Sequence, residues 1–484
     1  MVRACAILCL FIHCSHPIKA EIWTFSLEDA LSHVAQTEAN EIRIIDSTIN
    51  RLKHEIFNGN IYPNISLSAQ LPEYDKSISL VSQYDGSYRY LQRALATSSV
   101  NLNVSQLIPF TGGTLKYSVG IDRLDNLTSG KRSYGYYLNL SRISYSQDIF
   151  SYNQYKWAKR LDKQEQIIES IKSQQQLEKI RYDIVDAFFN LLVQQYYKQL
   201  REENLGLSRY VYNKAKLLYH ERRISETDFL DTEIEYLRDS LNENDDNIDK
   251  VRQSFRALLH LPEQITPTAQ FDDRSKTFAS LTLNARFIVD RVLEFNCDED
   301  FNLKNLQLDI DLKKAQSEKS PTLQLNLSGG YNSQFQNFNE ILKDELSSYK
   351  VSISFSVPIY NGRILSNKYR MVVAQKERLR EQTELDKTNT RNDILGDLAD
   401  INTTINAINS YRSTLNLMRR QLENVKLQLD YGRINVEQYV RLKNQYNQAV
   451  INYITQIRKY YIYIYKYRYL SLYDIESNTT LYEG

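Results

Sequence analysis

The sequence predicts a mainly helical, internally duplicated protein that also carries a small membrane β-sheet. Three observations predict this fold class: few residues that break regular structure, long helical patterns that occur twice, and alternating strands at matching places in both copies. The chain has 484 residues but only 14 Gly and 8 Pro, where average usage would give roughly 34 and 24. Such a shortage predicts few loops and long uninterrupted elements.

The first twenty residues have the features of a secretory signal. Arg3 supplies the positive start, residues 4–12 form the apolar run, and Ala20 ends a small-residue cleavage site. Cleavage would remove two basic residues and three cysteines, so 58 basic residues would face 59 acidic ones and Cys297 would remain alone. Lipid attachment to an early cysteine is the alternative. An exported chain without disulfides must be held by packing, oligomerisation or a membrane.

Self-similarity shows the duplication. The matching segments are residues 143–150 with 353–360 and 223–230 with 433–440, both at an offset of 210, and 62–71 with 320–329 at an offset of 258. The difference of 48 residues predicts an insertion in the first copy, within residues 75–130. The expected divisions are a signal at 1–20, repeats at 21–260 and 284–470, a connector at 261–283 and a tail at 471–484.

Each repeat begins with a predicted helix of about 30 residues. In the first copy it starts at Ser26, where Asp29 completes a capping box. In the second copy it runs from near Asn284 to Lys319, with an interruption near Cys297. A pair of strands follows in each copy.

Very long helices carry most of each repeat. They are predicted at about 153–220 and 367–431, and return helices at 226–260 and 436–470. Neither long segment contains Pro, and Ile180, Ile184, Ala187 and Leu191 form one apolar stripe. About 65 residues extend roughly 95–100 Å, so these antiparallel helices need coiled-coil neighbours. A periplasmic coiled-coil scaffold is one interpretation of them.

The strands favour a membrane instead. Ile65, Leu67, Ala69 and Leu71 alternate with small polar residues, and the segment from Tyr349 to Phe355 does the same in the second copy. Apolar-out, polar-in alternation is typical of outer-membrane strands, although a soluble sheet with one wet face is the alternative. Two strands per copy give four, too few to close a barrel. Open edges are not tolerated in lipid, so we expect a sheet shared among protomers.

The insertion holds two further alternating runs, from Val100 to Val104 and from Leu115 to Ile121. They would either extend the barrel hairpins beyond the membrane or add strands to it, and the sequence leaves both open.

This arrangement resembles the TolC-like outer-membrane efflux protein family, also called outer membrane factors, over about residues 25–475. The resemblance is carried by FSLEDAL at 25–31, YPNISLSAQL at 62–71, FSVPIYNGR at 355–363 and YGRINVEQYVRLKNQY at 431–446. It implies a homotrimer with a trimeric α-barrel tunnel across the periplasm and a shared 12-stranded transmembrane β-barrel. The connector and the tail would form a belt around the tunnel.

The resemblance also implies a function and a location. The protein would lie in the outer membrane with a periplasmic extension, and would passively conduct substrates that an inner-membrane pump delivers through a periplasmic adaptor. A type I protein secretion duct and a non-channel coiled-coil protein are the alternatives. The near-zero net charge disfavours a nucleic-acid partner. Catalytic motifs and metal-ligand spacings are lacking, so we expect no enzymatic activity and no cofactor.

Two helix reversals are candidate periplasmic tips for adaptor docking. They are Arg222, Arg223 and Ile224 in the first copy, and Gly432, Arg433 and Ile434 in the second. Gly432 suits a tight turn because it adopts positive φ freely, whereas Arg222 stands at the matching place. Two ordinary reversals between antiparallel helices are the alternative.

Just past each reversal, the family often carries acidic residues that ring the tunnel entrance. Asp228 and Asp231 match in the first copy, whereas Gln438 and Arg441 replace the acids in the second. Like charges converging in a narrow mouth repel and favour cations. A pair between Asp228 and Arg441 would act as a latch, and a solvated helix face is the alternative.

Tyrosines crowd the C-terminal return helix, among them Tyr460, Tyr461 and Tyr467. We expect them to pack with their hydroxyl groups reaching polar partners, and a ligand-binding aromatic site is the alternative. Tyr136, Tyr137 and Tyr349 suit an interfacial aromatic girdle.

Overall fold

The computed structural model describes residues 21–82, 84–128, 132–241, 247–272, 278, 284–341, 345–431 and 436–482. The chain divides into two compact units. The helical unit comprises the described residues among 1–47, 170–297 and 387–484, and the sheet unit comprises those among 48–169 and 298–386. The signal and the second tip, Gly432 to Ile434, lie outside the described residues. The two units cut across the predicted repeats, whose boundaries therefore stay predictions.

The sheet unit contains one antiparallel sheet of six strands in the order β2-β3-β4-β5-β7-β8. The strands are β2 (Asn64–Ser82), β3 (Tyr88–Leu107), β4 (Thr114–Asn126), β5 (Ser133–Asp148), β7 (Thr322–Phe335) and β8 (Glu345–Ser356). The expected count of four strands per chain is wrong, because the insertion supplies β3 and β4 to the same sheet. Three chains that used all their strands would not close a 12-stranded barrel.

The first predicted helix is divided in two. The capping box at Ser26 is confirmed: the backbone N–H of Asp29 donates to Ser26 Oγ over 3.1 Å, and that of Ser26 donates to Asp29 Oδ2 over 3.1 Å. However, α1 (Leu27–Ser32) ends in a 3₁₀ turn (His33–Gln36), and α2 (Glu38–Gly59) begins afresh. Thr37 is extended at this break, and its buried hydroxyl accepts the N–H of Asn40 as a new cap.

The second predicted helix is also interrupted, as its sequence indicates. Asn284 Oδ1 accepts the N–H of Phe287 over 3.2 Å and caps α6 (Ala285–Leu293). A short π-helix (Glu294–Asp298) then precedes α7 (Glu299–Lys319). The predicted interruption near Cys297 is therefore confirmed.

The long helices agree with the sequence pattern. They are α3 (Gln154–His220) and α8 (Ile364–Asp430), and the second return helix is α9 (Val436–Ser471). The first return helix is described as α4 (Glu226–Leu241) and α5 (Asn247–Leu258), and residues 242–246 between them lie outside the description. No helix in the described part of the chain has the length and apolar character needed to cross a bilayer.

The start of the described chain, the connector and the tail each contain short strands. The strand β1 (Glu21–Phe25) pairs in parallel with β6 (Ile265–Ala269), which the sequence did not predict. The tail forms a small hairpin from β9 (Tyr473–Asp474) and β10 (Thr479–Thr480).

The core of the helical unit forms where the long helices meet. The predicted stripe on α3 is buried at Ile180, Ile184 and Leu191, with Ala187 half-buried. It packs in one cluster with residues of α8 and α9, including Ile401 and Ile457. The apolar stripe thus packs inward within the chain, as its periodicity predicts.

Candidate functional site: a membrane band and two helix tips

One face of the six-stranded sheet is apolar from edge to edge. One row of paired residues runs, in strand order, through Ile65, Val104, Tyr117, Ile143, Gly329 and Tyr349. The next row lies on the opposite face and runs through Ser66, Asn103, Ser118, Arg142, Gly330 and Ser348. The inserted strands β3 and β4 continue this division without a break.

The apolar face is open within a single chain. Leu67, Val351 and Ile353 are 72%, 72% and 63% exposed. A monomeric soluble protein rarely leaves so broad an apolar surface uncovered. Lipid outside and polar side chains inside are the arrangement expected of a membrane strand.

Charged residues mark where the apolar run of a strand ends. Along β4, alternate positions are apolar from Leu115 to Ile121, about 20 Å of strand. The next two positions on that face are Arg123 and Asp125, which form an ion pair of 2.9 Å. We name residues 64–71, 98–105, 114–121, 141–148, 322–329 and 349–356 the membrane band.

Of the three tyrosines predicted for the aromatic girdle, two lie on the apolar face of the sheet and one lies on the polar face. Tyr136 lies beside Arg123, whose guanidinium carbon is 5.7 Å from the centre of the Tyr136 ring. Tyr137 pairs with Asp122 and so lies on the opposite, polar face. Successive residues of a strand alternate between faces, so neighbouring tyrosines could not both face lipid. Tyr349 lies on the apolar face and is 76% exposed.

The first tip is a tight helix end. The N–H of Arg223 donates to the carbonyl of Leu218, and the N–H of Arg222 donates to that of Tyr219. This is the Schellman arrangement, which ends a helix with one left-handed residue. Arg222 has φ of +59°, the left-handed conformation that favours glycine, and Gly432 is the residue at the matching place in the second copy. Arg222 and Arg223 are exposed, and Ile224 is half-buried.

Asp228 has a local structural role at the start of α4. Its Oδ2 accepts the backbone N–H of Ser225 over 3.3 Å, and its own N–H donates to Ser225 Oγ over 3.1 Å. These bonds form a capping box like the one at Ser26. The signal was present in the sequence, because Asp228 follows Ser225 by three positions.

The other candidate entrance residues lie at the surface. Asp231, Gln438 and Arg441 are exposed. Among the described residues, no ion pair joins Asp228 to Arg441, so the structure does not form the expected latch. The role of these residues at a tunnel entrance therefore stays a prediction.

The tyrosine-rich end of α9 is packed, as predicted. Tyr460, Tyr461 and Tyr467 are at most 5% exposed. Tyr467 donates to Asp397 Oδ2 over 2.7 Å, and Tyr460 donates to Glu476 Oε1 over 3.0 Å. Burial, the nearby Asp397 and Glu476 carboxylates, and these hydrogen bonds raise the pKa of both hydroxyls. They remain neutral and structural.

Ion pairs that the sequence did not predict fix α9 within the helical unit. Arg468 binds Glu178 of α3 over 2.6 Å and Asp474 of the tail over 2.5 Å. Lys466 binds Asp397 of α8 over 2.5 Å. The Glu178 side chain is only 5% exposed, and a carboxylate that is so buried needs a partner. Glu178 and Asp397 lie more than fifty positions before the basic residues that they bind, and Asp474 belongs to the tail. Residue spacing alone could therefore not reveal these ion pairs.

Similarity to known proteins agrees with this arrangement. Residues 300–462 match the family model described as outer membrane efflux protein. The Campylobacter jejuni CmeC outer membrane channel has 12% identity and a TM-score of 0.64, with 95% of this chain and 87% of that chain covered. The Vibrio cholerae outer membrane protein VceC has 10% identity and a TM-score of 0.58, with 94% and 97% covered. A comparison with curated proteins gave no match.

The fold is therefore that of the outer-membrane channels, and it extends over nearly the whole chain. The resemblance to the outer membrane efflux proteins is confirmed, with the family pattern itself located at residues 300–462. The expectation that the protein is not an enzyme agrees with this family pattern and with the outer-membrane channels that share the fold.

Proposed function

We propose that the protein is a homotrimeric outer-membrane channel of a tripartite efflux system. It conducts passively the substrates that an inner-membrane pump delivers through a periplasmic adaptor. The observation that supports this most directly is the membrane band, an open apolar face that crosses all six strands. Its two outer strands, β2 and β8, are sheet edges. Because open edges are not tolerated in lipid, other copies of the chain must complete the sheet.

The helices of the sheet unit form a row whose two outer helices adjoin the two edge strands in sequence. Side-chain contacts place them in the order α2-α3-α7-α8: Asn50 with Glu169, Gln164 with Glu299, and Lys376 with Asp309. The edge helix α2 leads directly into edge strand β2, and edge strand β8 leads into edge helix α8. One side of the unit is therefore α2 with β2, and the other is α8 with β8.

Both edge helices carry exposed apolar stripes. On α2 the stripe follows a strict heptad pattern at 42, 45, 49, 52 and 56, where the exposed fractions include 44% for Ile49 and 69% for Ile56. On α8, Ile364, Met371 and Leu385 are exposed at spacings of seven and fourteen residues, and Arg378 holds the intervening position. Repeats of this kind favour coiled-coil packing, here between α2 of one copy and α8 of the next.

Strand direction fits the same contact. Six antiparallel strands leave β2 and β8 running in opposite directions, so β8 of one copy can pair antiparallel with β2 of the next. Such head-to-tail contacts give a ring when the rotation between successive copies closes, and a closed ring leaves no open edge in lipid. The number three comes from the resemblance.

The two tips supply the adaptor-docking surface in this proposal. They comprise Arg222, Arg223 and Ile224 with the second-copy residues Gly432, Arg433 and Ile434. Asp228, Asp231, Gln438 and Arg441 would lie just inside the entrance. The exposed arginines at the first tip favour an adaptor surface that presents acidic or carbonyl groups.

Electron microscopy of the detergent-extracted outer-membrane fraction tests the proposal. Elongated three-fold particles are expected. Particles released by salt or alkali, or compact monomers, would contradict it. Loss of drug resistance on deletion of the protein supports efflux, whereas loss of a secreted protein would indicate the secretion duct.

A further inference from the structure

The inserted strands β3 and β4 are part of the wall of the sheet. β3 pairs with β2 from Asn64 to Ser82, and β4 pairs with β3 along its whole length, from Thr114 to Asn126. The contact on the polar face is tight at Gly120, because a Cβ there would overlap the side chain of Asn101. The insertion is therefore not a separate ribbon laid over the sheet.

The insertion also continues the membrane band. Leu102 is paired with both Leu67 and Val119, and Val100 with Ile121. All of these residues lie on the face that the other four strands present to lipid. A hairpin above the membrane would have no reason to keep this alternation in register. The extension beyond the membrane is instead the far half of β2 and β3, where Glu73, Asp75 and Lys76 follow the apolar run.

We propose that three copies close an 18-stranded β-barrel in which β3 and β4 form part of the lipid-facing wall. This inference rests on the proposed trimeric channel. The backbone diameter would be about 36 Å, against about 24 Å for twelve strands. Barrels of 16–18 strands leave an aqueous channel. The outer-membrane segment would therefore admit solutes too broad for a 12-stranded barrel, and size selection would fall to the helical part or to the pump.

Cryo-electron microscopy of the detergent-solubilised full chain gives the direct test. Eighteen strands around a three-fold axis are expected. A three-fold ring of twelve strands with β3 and β4 outside the wall would overturn the inference and leave the proposed channel intact. A two-fold ring of twelve strands would overturn both the strand count and the trimer. Absence of any ring in the outer-membrane fraction would overturn the proposed function itself.

A labelling experiment in intact outer membranes tests the same point without a reconstruction. In a Cys297→Ser background, Val119→Cys faces lipid and Ser118→Cys is its matched control on the polar face. With a charged, membrane-impermeant maleimide, Ser118→Cys is expected to react at least about tenfold faster than Val119→Cys. Equal rates would place the hairpin in water on both faces and would overturn the inference. If either variant fails to assemble, the number of strands in the cryo-electron microscopy map of the wild-type chain tests the inference instead.

Discussion

A Cβ on Gly330 would overlap the backbone carbonyl oxygen of Ser141. These residues lie where β5 pairs with β7, the join between the two repeats, and β5 changes register there between Asn139 and Ser141. A side chain at residue 330 therefore requires the backbone of β5 or β7 to shift at this join.

Substitution of Gly330 by Ala should therefore weaken the sheet at this join. Backbone has to shift to relieve the overlap, at a typical cost of about 1–3 kcal/mol. The expected result is a lower temperature for dissociation and unfolding, measured by heat-dependent mobility in gels. Gly135→Ala is the matched control, because nothing lies within 4 Å of a Cβ at that position of β5. Equal effects of the two substitutions would contradict the explanation.

The heptad stripe on α2 should be needed for assembly. Ile49→Lys places a charge in the proposed contact with α8 of the next copy, where desolvation is costly. We expect the trimer to be lost from chemically cross-linked membranes. Arg51→Ala on the same helix should keep it, because Arg51 is exposed and binds only Glu55 of its own helix among the described contacts. A trimer that survives Ile49→Lys would place the interface elsewhere.

Arg222→Gly should make the first tip more stable. The left-handed conformation costs a non-glycine residue about 1 kcal/mol, and glycine removes that cost, although it also adds freedom to the unfolded chain. Hydrogen exchange at the Arg223 amide, which closes the turn, is expected to slow several-fold. Arg222→Ala removes the charge but keeps the conformational cost, so it should not slow exchange. Slower exchange in both variants would indicate charge repulsion among the arginines as the cause.

Asp228 should be coupled to Ser225 and not to Arg441. Ser225→Ala removes the cap of α4, a loss of about 0.5–2 kcal/mol. A double-mutant cycle between Ser225→Ala and Asp228→Ala should show clear non-additivity in stability against urea. The cycle between Asp228→Ala and Arg441→Ala should be additive. A coupling in the second cycle would restore the latch that the structure lacks.

Alkaline pH should destabilise the helical unit through its tyrosines. Burial raises the pKa of Tyr465 to about 12, above the ordinary value near 10. The folded state therefore holds this proton more tightly than the unfolded state. Its contribution to stability is full below about pH 10 and is lost as the pH rises to about 12.

The measurement for this prediction is the urea unfolding midpoint between pH 8 and about pH 12. Tyr465→Phe should reduce the fall in the midpoint above about pH 10. Tyr210→Phe serves as control, because Tyr210 is 55% exposed on α3. If the urea midpoint of Tyr465→Phe falls above about pH 10 as much as that of the wild type, groups other than Tyr465 cause the fall.

The sequence predicted the elements with strong periodicity and missed those that depend on partners. The long helices follow from the absence of Pro and from stripes such as that of Ile184 and Leu191. The break at Thr37 was missed because a single hydroxyl cap overrides a continuous helical pattern. The pairing of β1 with β6 joins five-residue segments more than 240 positions apart, which no local pattern reveals.

The candidate site was predicted in outline. The alternation in β2 and β8 identified the apolar face, but counting two strands per repeat left the insertion undecided. Only pairing could show that Leu102 continues the band. Asp228 was assigned to the entrance through resemblance, whereas its own neighbour Ser225 explains it.

The insertion is a hairpin, and this has a topological consequence. In the proposed channel, a single extra strand would leave the chain on the far side of the bilayer, and the helices that follow β5 would then point away from the cell. Two strands return it to the side from which it came. A pair of strands is therefore the smallest unit by which such a wall can grow while every later helix stays in its own compartment.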